Sequence, residues 1–269
     1  DSPTSVSVLN LALAQKEEMG NHMFDYYQNG GAGMFPAFVR DFFLPLSTSE
    51  ALYYLGMTYE AQQYTYEAME AIPDFQKSSR CYKRLAETNL IHGDYTVARK
   101  YLHALQHTLL YSKWANETLA LLDNETAISE HPEYGTLRQK GYKEDFYVSD
   151  NERTSMLGQL FMSNRTNRMA YEYLMGWTLL NGDLENLPSY FSLSGSLDLK
   201  SIPVYHQQAL VLAWALTHPS PEGMPWPIAS NVINGFNAFV QAQRQNMSAD
   251  QMKARFGRTY WYYYFYSKS

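Results

Sequence analysis

One cysteine, Cys81, stands in a chain of 269 residues. A lone thiol excludes an intrachain disulfide and any cysteine-rich metal cage, and it does not identify a redox compartment. Charge is sparse as well: 18% of residues are charged against 45% hydrophobic, the balance of a chain that buries a core. The 21 Lys and Arg against 27 Asp and Glu leave a net charge of −6. The basic residues are scattered, so the positive stripe with which a duplex binder displaces counterions is missing. The nearest approach to one, Arg138, Lys140 and Lys143, is offset by Glu144 and Asp145 and reads as a solvated loop. Nucleic acid is therefore not an expected partner. Long apolar runs are missing too. Ala209 to Leu216 falls far short of the roughly 20 residues a membrane-spanning helix needs. No signal peptide is evident and the first residue is Asp1, so any membrane attachment is expected through an upstream segment.

What is abundant is tyrosine, with 23 residues beside 13 Phe and 5 Trp. Tyrosine fills crevices between helices while keeping its hydroxyl wet, and it also lines sugar and peptide grooves. Packing is the expected main use here.

Along the chain, Val8, Leu9, Leu11, Ala12, Leu13, Met19, Met23 and Phe24 follow helical spacing, with a break expected near Gly20. Asn29-Gly30-Gly31-Ala32-Gly33 and Pro36 disfavour regular structure. Thr48 is expected to open a helix that breaks at Gly56 and resumes from Tyr59 to Ala71, before Pro73. Ala61 and Ala68 place small side chains on one face of that second helix. Residues 128–150 read as irregular, with Pro132, Gly135 and Gly141, and a helix is expected from Asp150 or Glu152 to Phe161. Later helices are expected through Tyr205 to Leu216 and from about Ile228 to Gln243. A capped helix then opens at the Ser248-x-x-Gln251 signature and stops at Gly257.

The clearest pattern runs from Ser79 to about Ser112. Tyr82, Leu85, Ala86, Asn89 and Leu90 form one stripe, Gly93-Asp94 turns the chain, and Val97, Ala98, Tyr101, Leu102 and Leu105 form the returning stripe. Tyr82, Leu85-Ala86, Gly93-Asp94-Tyr95 and Ala98 resemble the tetratricopeptide repeat. Leu174, Leu179 and Gly182-Asp183 repeat the frame of Leu85, Leu90 and Gly93-Asp94. Gly56 precedes Gly93 by close to the ~34 residues of one repeat. The expected fold is all-α, one tetratricopeptide-like α-solenoid over 1–269, a right-handed array of about five or six antiparallel hairpins. Its best repeats lie at about 48–73, 79–112 and 168–192, with a helical cap at about 228–269.

Three stretches also resemble an uncharacterised family of membrane-anchored proteins from Bacteroides-type bacteria. They are Leu9 to Phe24, Cys81 to Leu105, and the aromatic tail Thr259 to Tyr266. The resemblance implies that a hydrophobic, multi-spanning region precedes this chain. It also implies that the chain is the soluble part of a cell-envelope protein, with a periplasmic location as the expectation. The resemblance carries no functional residues with it.

Candidate chemistry is thin. His103 and His107 stand one helical turn apart, but the residues between them are Ala-Leu-Gln, with no general base and no third ligand. Glu60, Glu67 and Glu70, or Glu144 and Asp145, would serve a glycosidase only if two of them flanked a cleft at ~5–10 Å. Gly30 to Gly33 lacks the Lys-Ser/Thr of a phosphate loop. Cys81 lies near Arg80 and Lys83, which would lower its pKa, but no His-Asn partner pattern accompanies it. No cofactor, metal or catalytic residue is expected. The expected role is a protein- or peptide-binding scaffold, with a concave surface including Arg84, Thr88, His92, Tyr173 and Trp177. The alternative is a carbohydrate-binding or glycoside-hydrolysing helical protein. The aromatic tail would either cap the array or offer a contact surface.

Overall fold

The computed structural model describes residues 2–142 and 152–267, with the backbone alone at Phe75. Among these residues every regular element is helical. The first seven α-helices are α1 (Pro3–Gln15), α2 (Met19–His22), α3 (Phe43–Leu55), α4 (Thr58–Glu70), α5 (Ser79–His92), α6 (Tyr95–Gln106) and α7 (Ser112–Leu121). Next come α8 (Glu125–Glu130), α9 (Tyr134–Lys140), α10 (Arg153–Ser163), α11 (Arg168–Asn181) and α12 (Leu187–Ser192). The last four are α13 (Val204–Ala215), α14 (Ser230–Arg244), α15 (Ala249–Phe256) and α16 (Tyr260–Tyr262). None of the described helices is long and apolar enough to cross a membrane.

Three helix ends share one device. At Gly56, Gly93 and Gly182 the backbone turns left-handed, with φ of 92°, 86° and 63°. In each case the amide after the glycine donates to the carbonyl five residues back: Met57 to Leu52, Asp94 to Asn89, and Asp183 to Thr178. This double-bonded cap satisfies carbonyls that a helix end otherwise leaves bare, and only glycine enters the conformation without penalty. After Gly56 and Gly93 the cap reverses the chain, so α3 packs on α4 and α5 packs on α6. Ala61 lies where Ser49 Oγ donates to its carbonyl at 2.7 Å, so its small side chain permits the close α3–α4 approach.

Contacts divide the chain into two compact units: residues 1–34 with 148–269, and residues 35–147. The first helices group with the later part of the chain, and the hairpins α3–α4 and α5–α6 belong to the other unit.

Several boundaries differ from the expected ones, each for a local reason. The break after α1 falls at Glu17, a residue with φ of 61°. Gly20 lies inside α2, where a Cβ would stand 2.6 Å from the Pro203 side chain. That glycine serves close packing. Helix α3 begins at Phe43 and not Thr48, because Asp41 Oδ1 accepts from the amides of Phe43 and Leu44 at 2.7 and 2.8 Å. Thr48 and Ser49 are interior and buried. Two helices, α8 and α9, occupy part of the stretch expected to be irregular. Gly135 sits within α9 because a Cβ there would meet the Ser129 carbonyl oxygen at 2.0 Å. Lys143, Glu144 and Asp145 lie outside the described residues.

Candidate functional site

In the unit of residues 35–147, helix α9 packs against α3 and α5, the first helices of the two hairpins. Helix α9 thus packs on two of the helices that carry the best hairpins. Tyr134 and Leu137, spaced i and i+3 on α9, are each 3% exposed. Arg138 donates from Nε to the Ile91 carbonyl and from Nη2 to the Leu90 carbonyl, both at 2.9 Å. The cation therefore answers the carbonyls and negative dipole end of α5.

Arg84, Thr88 and His92 lie on or at the end of α5 in this unit. Arg84 is 5% exposed. Its guanidinium lies 2.6 Å from Glu50 Oε2, 3.0 Å from Glu87 Oε2, and 3.4 Å over the ring of Tyr53. Glu87 also pairs with Lys83. Burial pushes the Glu87 carboxyl pKa up, although Arg84 and Lys83 pull against it. Tyr53 in turn donates to Glu133 Oε1 at 2.9 Å. The Arg84 charge is consumed by these partners. Thr88 is fully buried and donates to the Leu85 carbonyl. His92 is half-buried, 2.9 Å from Thr58 Oγ1 and stacked on Tyr59, and burial lowers its pKa to about 4. Tyr173 and Trp177 belong to the other unit, where Tyr173 is fully buried and Trp177 half-buried against Gly31. Of the five residues, Arg84, Thr88 and Tyr173 are buried and His92 and Trp177 are half-buried.

The other candidates also find places. His103 and His107 are exposed, with His103 Nδ1 2.8 Å from Gln106 Oε1. No group of three metal-ligating side chains occurs among the described residues. Cys81 is fully buried, and burial raises its thiol pKa despite the nearby Arg80. Thiolate activation by the neighbouring cations, allowed by sequence, is outweighed by desolvation.

A cleft that no sequence spacing announces lies in the unit of residues 1–34 and 148–269. Residues 24–28 form one wall and residues 253–267 the other, around about 680 Å³. The first wall is fixed from beneath. Asn10 Nδ2 donates to Gln28 Oε1 at 2.9 Å and to the Gly33 carbonyl at 2.7 Å, while Gln28 Nε2 donates to the Met23 carbonyl at 2.8 Å. The Tyr205 hydroxyl spans both walls, donating to Asp25 Oδ1 at 2.9 Å and lying 3.3 Å from the Arg258 carbonyl.

The second wall begins with α15, whose Ser248–Gln251 capping box forms as expected. The aromatic run then splits. Tyr260, Trp261 and Tyr263 are 0%, 2% and 4% exposed. Tyr260 and Tyr263 donate to the carbonyls of Leu179 and Leu180, at 3.3 and 2.8 Å, and close the end of α11. Trp261 Nε1 donates to the Gln208 carbonyl at 2.9 Å. Tyr266 is 45% exposed and stacks on Tyr262 at 5.1 Å between ring centroids. It faces the cleft together with Tyr26 and Tyr27, which are 51% and 58% exposed. The tail is a cap on one side and a cleft wall on the other. The run of aromatics is visible in sequence. Its partners, Tyr26, Tyr27 and the Lys253–Arg258 stretch, are distant in the chain and carry no shared spacing.

No curated protein and no solved structure matches the chain. A family model described as "Family of unknown function (DUF6057)" matches residues 1–267, and the chain belongs to that family.

Proposed function

We propose that this chain is a non-enzymatic scaffold of tetratricopeptide-like hairpins that holds a protein or peptide partner. In this reading it is the soluble part of a membrane-anchored envelope protein of Bacteroides-type bacteria, facing the periplasm. The Gly56, Gly93 and Gly182 caps, each with the same five-residue hydrogen bond, support hairpin repetition. The observation that carries the binding role is Leu109-Leu110 between α6 and α7, whose residues are 98% and 81% exposed. Two adjacent leucines left in water gain from burial by a partner, at roughly 25 cal/mol per Å². Since α9 packs on α3 and α5, the partner meets this corner. Arg84, Thr88 and His92 support the wall behind α9 without touching the ligand.

A photo-crosslinking residue at position 110 of the full-length protein, expressed in its source organism, tests this. One discrete adduct, abolished by Leu109→Ser and absent from a probe at exposed Lys113, is expected. No adduct at position 110, or equal adducts at both positions, would overturn it.

A second reading, carbohydrate recognition, is favoured by the tyrosines around the cleft at 24–28 and 253–267. Sugar C–H faces stack on such rings, and the phenolic hydroxyls exchange hydrogen bonds with sugar hydroxyls.

A further inference from the structure

We propose that the cleft between residues 24–28 and 253–267 binds an anionic saccharide, a sugar ring bearing a carboxylate, phosphate or sulfate group. The proposal rests on the carbohydrate reading of this cleft and adds the charge of the ligand. Lys253, Arg255 and Arg258 all line the cleft and are all exposed. None of the three makes an ion pair among the described residues. The one acidic residue in the lining among the described residues, Asp25, is engaged on both oxygens, by the Tyr205 hydroxyl and by His22 Nδ1, each at 2.9 Å. Three unpaired cations thus meet in one concavity of a chain whose net charge is −6. Against that background a local positive field concentrates small anions without making the whole surface a polyanion binder.

The chemistry of the walls selects among anions. Among the described residues the lining contains no Leu, Ile, Val or Met, so it lacks the aliphatic groove an amphipathic helix requires. It offers no strand edge to pair an extended peptide, because the walls are helices and a short connecting segment. It does offer the exposed rings of Tyr26, Tyr27 and Tyr266 beside guanidinium groups. Arg255 is steadied by its position 5.1 Å over the Phe256 ring, leaving its N–H fork for a two-point contact with a carboxylate or phosphate. The volume of about 680 Å³ suits a ligand of one or two sugar rings. The cleft exists before any ligand arrives, because buried Asn10, Gln28 and Tyr205 hold its walls.

The test is a glycan array carrying neutral and anionic members, probed with the full 269-residue chain and followed by calorimetry on the best member. Hits confined to anionic members are expected. Arg255→Gln with Arg258→Gln should weaken binding by about tenfold or more, and Tyr27→Ala should weaken it with unchanged circular dichroism. All three side chains lie on the surface, so these variants should fold. Neutral members bound as well as anionic ones would overturn the charge assignment and leave the carbohydrate reading standing. No hits at all would overturn both. Equal binding of inorganic sulfate, an octaglutamate peptide or ATP would show an anion site that does not read sugar, which also overturns the proposal.

Discussion

At the scale of single residues, the titration of two buried groups decides how stability responds to pH. Glu172 on α11 is 2% exposed, has one carboxylate oxygen without a hydrogen-bond partner among the described residues, and lies 3.8 Å from Arg168 Nε. Burial pushes its pKa up to about 7, while Arg168 and the Gly20 backbone pull it down. The stability this contributes is complete below about pH 4.5 and is lost as pH rises through about 7. Glu172→Gln should therefore gain roughly 1–3 kcal/mol at pH 8 and almost nothing near pH 4. Urea denaturation at the two pH values measures it, and an equal effect at both would refute the assignment. His206 acts in the opposite sense. It is 1% exposed among Tyr171 and Phe191, and burial lowers its pKa to about 4. Its contribution is present above about pH 6.5 and lost as pH falls through about 4. His206→Gln should flatten the acid limb of the stability profile, whereas Glu172→Gln should expose that limb more steeply.

At the scale of elements, the legible features are those written in backbone chemistry. Gly56, Gly93 and Gly182 are visible because a left-handed cap admits almost nothing else. The Ser248–Gln251 box is visible because both halves of its reciprocal bonding lie within four residues. Glycines used for close approach are not readable in the same way. Gly20 and Gly135 resemble breakers in sequence, yet both lie inside helices that press against Pro203 and the Ser129 carbonyl. This is why the sequence conceals α9.

The two uses of glycine can be separated by mutation. Gly93 has φ of 86°, and no atom of the described residues stands within 4 Å of where a Cβ would lie, so Gly93→Ala should cost about 1 kcal/mol from backbone strain alone. Gly56 has φ of 92°, and a Cβ there would also meet Lys140 Cβ at 2.7 Å. Gly56→Ala should cost about 2–3 kcal/mol and loosen α9. Hydrogen exchange at Leu137 compares them, and equal effects of the two variants would contradict the Lys140 contact.

At the scale of the whole molecule, the all-helical class follows from period and composition, but the division into two units does not. The bonds that join early to late residues, such as Asn21 Oδ1 accepting from the Val204 amide at 2.9 Å, leave no periodic trace. The same holds for the cleft, whose walls are far apart in sequence. Each unit has fully buried leucines, Leu85 in one and Leu174 in the other. Either one changed to Ala should cost about 2–5 kcal/mol in a denaturant melt. Leu109→Ser with Leu110→Ser should cost less than about 0.5 kcal/mol, because those side chains already stand in water. A large loss there would mean that the exposed pair is structural.

The burial of Cys81 gives the unit of residues 35–147 an internal clock. A thiol-specific reagent has one target in the whole chain, and that target is 0% exposed. Labelling must therefore wait for α5 to part from its neighbours. Under rapid reclosing, the observed rate is the intrinsic thiol rate multiplied by the opening equilibrium constant. A partner seated on this unit should slow the reaction in proportion to its occupancy, so one unmodified cysteine reports both local opening and binding without an engineered probe.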